Sequence, residues 1–161
     1  MEQLSQILER LNRERVEYVV VGGLAGVFHG VPLVTRDVDI CLPFTEQNLV
    51  RLEKALAGLN PVHRETPQRL PFSVAADLPR GLKNLYLRTD LGVLDCLGEI
   101  KGIGGFAEVV RESVWVDLPI GPCQVLSLVG LIQAKSALQR AQDKLALLHL
   151  REIQKRRRQD R

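Results

Sequence analysis

Residues 16–42 read VEYVVVGGLAGVFHGVPLVTRDVDICL, and this stretch decides the fold. Val16–Val21 is a β-branched run of the kind found in strands buried on both faces. Gly22-Gly23 breaks it. Residues 24–30, LAGVFHG, predict a short helix opening directly after the glycines, and Pro32 belongs to a loop. Asp37–Leu42 predicts a second strand, ended by Pro43. Side chains alternate along a strand, so Asp37 and Asp39 project from one face. Val38, Ile40 and Leu42 then form the opposite, buried face.

Working outward, Leu4, Ile7, Leu8 and Leu11 have the i, i+3, i+4, i+7 spacing of an amphipathic helix over residues 2–14. Thr45 is placed to N-cap a helix whose apolar face is Leu49, Val50, Leu52, Leu56 and Leu59. Residues 60–80 carry prolines at 61, 67, 71 and 79 and predict irregular chain. Leu82–Arg88 and Gly92–Leu97 predict two strands joined as a hairpin through Thr89-Asp90. A short helix over 104–111 and a strand over Val114–Leu118 follow. Residues 127–139 and 141–155 are rich in helix formers and predict a C-terminal helical hairpin. The order of elements implies an α/β (α+β) chain: a mixed β-sheet flanked by helices.

Three features of this plan carry chemistry. A strand running through Gly22-Gly23 into a helix aims free N–H groups and a positive helix end at one point, an arrangement suited to phosphate. Asp37 and Asp39 are like charges held close together, and such a pair is relieved by a cation between them. Carboxylate and phosphate oxygens are what Mg²⁺ prefers. Asp95, in GVLDCLGEI, is a lone acid in a strand that otherwise reads as buried; burying it requires a metal or an ion-pair partner. A glycine-rich strand end, an Asp-x-Asp strand and a third acid on a later strand together suit an in-line phosphoryl displacement.

The composition is that of an ordinary globular chain, with 161 residues, 45% hydrophobic and 25% charged. No apolar run reaches the roughly 18 residues of a membrane span, and the N-terminus lacks a signal-peptide core, so the chain is read as cytoplasmic. Cys41, Cys96 and Cys123 form no C-x-x-C and read as small buried hydrophobes. The net charge of +3 resides in residues 151–161, REIQKRRRQDR; without them 16 basic and 17 acidic residues remain. The chain thus divides into a body, 1–150, and a basic helical tail, 151–161, read as a solvated helix end with RNA or an acidic partner face as the alternative. His29 is read as a helix-end histidine bonded to backbone, with positioning a loop or contacting the nucleotide as the alternative, and Arg36 as one half of a structural ion pair in preference to a phosphate contact.

Gly22, Gly23, Ala25, His29, Gly30, Thr35, Arg36, Asp37 and Asp39 match the pattern G-G-x-A-x-x-x-H-G-x-x-x-x-T-R-D-x-D, with thirteen residues between Gly23 and Asp37. In this the chain resembles the small nucleotidyltransferases of the polymerase-β-like superfamily, a group with antitoxin-type and antibiotic-modifying members. Val125–Leu147 is similar to the family's strand end, helix and Lys-then-Arg-x-x-Asp pattern, matched by Lys135, Arg140 and Asp143. The resemblance implies the palm-type mixed sheet and a metal-dependent transfer of NMP from an NTP, with ATP as the expected donor. The acceptor would be a hydroxyl of a protein, an RNA or a small molecule, and pyrophosphate would leave. It implies that Asp37, Asp39 and Asp95 bind Mg²⁺ or Mn²⁺, with Asp95 able to act as general base. Gly22, Gly23, Lys135 and Arg140 would bind the nucleotide. Many members carry Ser where this chain has Gly23, which removes a hydroxyl contact and keeps the backbone N–H. The alternative is an antitoxin or binding partner of the same fold, working through a small helical protein or a second copy of itself. A Rossmann-type dinucleotide site is disfavoured, because the glycines do not follow G-x-G-x-x-G and Asp-x-Asp has no role there.

Overall fold

The computed structural model describes residues Met1–Arg161. Helix α1 (Glu2–Arg13) buries Leu4, Ile7, Leu8 and Leu11, the stripe read from the sequence. Strand β1 (Val19–Val21) is buried at every residue and runs straight into α2 (Gly22–Phe28). After a loop, β2 (Asp37–Cys41) leads to α3 (Glu46–Ala55), where Thr45 Oγ1 accepts from the Asn48 N–H at 3.2 Å. Strand β3 (Val62–His63), helix α4 (Val74–Asp77) and a 3₁₀ turn (Leu78–Arg80) fill the proline-rich stretch. The hairpin of β4 (Asn84–Thr89) and β5 (Gly92–Leu97) follows. A small ribbon of β6 (Glu99–Ile100) and β7 (Gly104–Gly105) leads to α5 (Phe106–Arg111). The chain ends with β8 (Ser113–Leu118), β9 (Gly121–Leu126), α6 (Leu128–Leu138) and α7 (Ala141–Gln159).

The main sheet has the order β3-β4-β5-β2-β1-β9-β8. It is mixed, as expected: β2 pairs with β5 and β1 with β9 in parallel, and the other neighbours are antiparallel. One buried face carries Val38, Ile40, Leu42, Leu85, Leu87, Leu94 and Cys96, which join the residues of α1 and α3 in a single core. All three cysteines are buried and free.

Three sequence expectations change. The first strand covers only Val19–Val21, because Glu17 is occupied elsewhere: its N–H donates to Asn48 Oδ1 at 2.8 Å and its carbonyl accepts from Asn48 Nδ2 at 3.0 Å. A buried asparagine thus takes the hydrogen bonds that a strand neighbour would have made. Strand β9, hidden behind Gly121-Pro122, is an inner strand. Its pairing with β1 is at Val20–Val125, so Pro122 lies outside that ladder. Residues 60–80 are not irregular throughout. Ser73 Oγ caps α4 by accepting from the Ala76 N–H at 3.1 Å, and buried His63 bonds Asp77 at 2.8 Å.

Candidate active site

The site is assembled at the centre of the sheet, where β1, β2 and β5 lie side by side. Register places Val21 opposite Asp39, and Asp39 opposite Asp95. Adjacent strands are about 4.8 Å apart, so two carboxylates in register share one face at close range. Asp37 lies two residues along β2 on the same face and is exposed. The three acids singled out in the sequence are therefore brought together.

Gly22 follows Val21 with φ +64 and sits against Asp39. A Cβ at Gly22 would overlap Asp39 Oδ2 and come within 2.9 Å of its Cγ. Both the left-handed backbone and the close approach call for glycine. The Gly23 N–H lies on the Asp39 side of the turn, where it favours the ionised carboxylate. The glycine pair thus serves the acid pair directly, a relation that spacing alone does not convey.

Burial, Asp95 and Asp37 all disfavour ionisation of Asp39, and raise its pKa to about 6 despite Lys135 and the Gly23 N–H. Burial also raises Asp95, against the pull of Arg64. Arg64 was not foreseen: it is an isolated arginine in the proline-rich stretch with no motif around it. Its Nε donates to Asp95 Oδ1 at 3.2 Å and its Nη2 to Oδ2 at 2.6 Å. Its guanidinium lies over the ring of Tyr86, 5.4 Å from the centroid. Tyr86 is the register partner of Asp95 on β4.

Lys135 and Arg140 are not free cations. Lys135 Nζ donates to Asp143 Oδ1 at 3.0 Å, and Arg140 Nε to Asp143 Oδ2 at 2.6 Å. Burial would raise the pKa of Asp143, but the hydrogen bonds from Arg140 and Lys135 outweigh it, and the pKa is lowered. The Lys-then-Arg-x-x-Asp pattern is thereby an ion-pair triad that joins α6 to α7. Lys135 also lines a cavity of about 200 Å³ with Gly22, Gly23, Thr35 and Asp143. His29 is buried and its Nε2 lies 2.9 Å from the Leu126 carbonyl, the backbone role read from the sequence. Arg36 is exposed and enters no ion pair, contrary to expectation, since the loop before β2 turns it to solvent.

The donor set fits a hard divalent cation. Three carboxylates present oxygen donors on one sheet face, and burial together with the neighbouring acids leaves Asp39 short of compensating positive charge despite Lys135. As the side chains stand, no three His, Cys, Asp or Glu residues close around a common point, and the cation beside Asp95 is Arg64.

No protein-family model matches the chain, and no curated protein matches it in sequence. Solved structures do match its shape. The candidate nucleotidyltransferase TM1012 of Thermotoga maritima superposes with a TM-score of 0.57 at 22% identity, covering 89% of this chain and 87% of that one. ANT(2″)-Ia, solved in complex with adenylyl-2″-tobramycin, gives a TM-score of 0.53 at 13% identity, covering 92% of this chain and 95% of that one. The fold is that of the nucleotidyltransferases, as the resemblance implied.

Proposed function

We propose that the chain transfers a nucleoside monophosphate from an NTP to an acceptor hydroxyl. The observation that carries this reading is the in-register pair Asp39 and Asp95, set against the Gly22-Gly23 turn. The bound adenylyl-2″-tobramycin of the ANT(2″)-Ia structure supports ATP as the donor and a hydroxyl as the acceptor. Asp37, Asp39 and Asp95 are the residues to hold Mg²⁺ or Mn²⁺, which when bound neutralises charge on the phosphate oxygens. Gly22 lets the backbone lie directly against the Asp39 carboxylate, and the cavity that Gly22 and Gly23 share with Lys135 suits the polyphosphate. Lys135 lines that cavity, and Arg140 lies next to it on the same Asp143 carboxylate, so the pair would supply positive charge to the nucleotide. The acceptor oxygen forms a bond to the α-phosphorus, the bond from that phosphorus to the pyrophosphate oxygen breaks, and pyrophosphate leaves. Asp95 takes the hydroxyl proton.

The test is incubation of the chain with each NTP, Mg²⁺ and a lysate, followed by mass spectrometry for a nucleotidylated product. One NTP, expected to be ATP, should give product, and Asp39→Asn should give none. Equal product from wild type and Asp39→Asn would refute the assignment.

A further inference from the structure

We propose that Arg64 is a built-in cation at the Asp95 end of the site, and that a divalent ion has to displace it in order to gain Asp95 as a ligand. This rests on the reading of Asp37, Asp39 and Asp95 as the metal-holding set. The guanidinium engages both oxygens of Asp95 as a fork, at 3.2 and 2.6 Å, so the two lone pairs best placed for an incoming cation are in use. Like charge also repels: a guanidinium in contact with Asp95 lies within a few ångströms of any ion that Asp95 would ligate.

Three contacts hold Arg64 in this pose. Its backbone N–H donates to the Tyr86 carbonyl at 2.9 Å. Its guanidinium packs over the Tyr86 ring. Its Nη1 donates to Glu65 Oε1 at 2.7 Å, and the Glu65 side chain is 60% exposed. Glu65 is therefore a partner that remains with the guanidinium once Asp95 is released. Arg64 directly follows β3, a two-residue strand at the edge of the sheet, so the arginine can withdraw without disturbing an inner ladder. The contact makes the free chain resist metal: the Asp37–Asp39 pair is available, while the third carboxylate is shut until the arginine moves.

The experiment measures Mn²⁺ binding to the full chain by the electron paramagnetic resonance signal of the free ion. Arg64→Gln keeps a polar side chain but removes the charge, and should bind Mn²⁺ roughly tenfold more tightly than wild type. Arg64→Lys, a point charge without the fork, should fall between the two. Adding Asp95→Asn to Arg64→Gln should erase the gain. Tyr86→Leu, which leaves Arg64 in the sequence and loosens its seat, should tighten Mn²⁺ binding by about twofold, and it serves if Arg64→Gln does not fold. Equal or weaker binding in folded Arg64→Gln would overturn the proposal. If Asp39→Asn still abolishes wild-type binding in that case, the metal reading survives. If Asp39→Asn leaves Mn²⁺ binding unchanged, or if neither wild type nor Arg64→Gln binds Mn²⁺, both fall.

Discussion

Asp39 is the residue on which the site turns, and its ionisation has a stability consequence. Its folded pKa of about 6 lies above the unfolded value. The unfolded chain therefore loses this proton first as pH rises, and folding is penalised increasingly from about pH 4 to pH 6 and fully above that. Asp39→Asn should stabilise the metal-free chain by about 2 kcal/mol at pH 7.5 and by little at pH 4. Urea unfolding at both pH values checks this, and a gain of equal size at both would contradict it. Gly22 offers a second test. Gly22→Ala forces Cβ into the Asp39 carboxylate in a left-handed backbone, and should cost about 2–4 kcal/mol. Adding Asp39→Ala should recover part of that loss, because the overlapping Oδ2 and Cγ are gone. By contrast, Gly23→Val tests phosphate approach poorly, since a Cβ there already meets Thr35 Oγ1 at 3.1 Å.

At the scale of elements, the hairpin of α6 and α7 is tied by one buried carboxylate. Asp143 is 1% exposed and accepts from Lys135 on α6 and from Arg140 at the start of α7. Asp143→Asn should cost about 1–2 kcal/mol, a moderate figure because the Arg140 side chain is 53% exposed and can turn to water. Its pKa is lowered by folding, so the contribution is present above about pH 4 and fades as pH falls below that. The difference between variant and wild type should shrink at pH 3. Hydrogen exchange should show earlier opening of α7 in the variant, and unchanged exchange across both helices would contradict the tie.

At the scale of the whole molecule, the basic end of the chain is the second half of α7 and not a separate appendage. Ile153 packs against the core, and Arg157 Nη2 donates to the His29 carbonyl at 3.3 Å. Truncation after Leu150 should therefore destabilise the chain by about 1–2 kcal/mol through lost packing alone. Replacing Lys155, Arg156 and Arg158 with Gln keeps those contacts and removes exposed charge, with the loss of one surface ion pair, Arg156–Glu152. That variant should melt within about 2 °C of wild type. If it also transfers to its acceptor with unchanged salt dependence, the charges are a solvated helix end. A salt-sensitive loss of rate would instead mark them as a binding surface for a polyanion.

Local pattern was sufficient for much of this molecule. The alternation of Val38, Ile40 and Leu42 with Asp37 and Asp39, the stripe of α1, the Thr45 cap and the glycine break after Val21 are short-range facts of spacing, and they located these elements and the Asp37–Asp39 pair. Other features depend on residues far apart in sequence. Asn48 shortened β1 by binding Glu17 across 31 positions. Arg64 reached Asp95, also 31 positions away, out of a stretch whose prolines advertised only irregular chain. Gly22 met Asp39 because antiparallel pairing of β1 with β2 folds one onto the other. Periodicity reports which way a side chain faces, since that follows from backbone geometry. The partner it finds is set by register and packing between distant segments, and only the tertiary structure decided that.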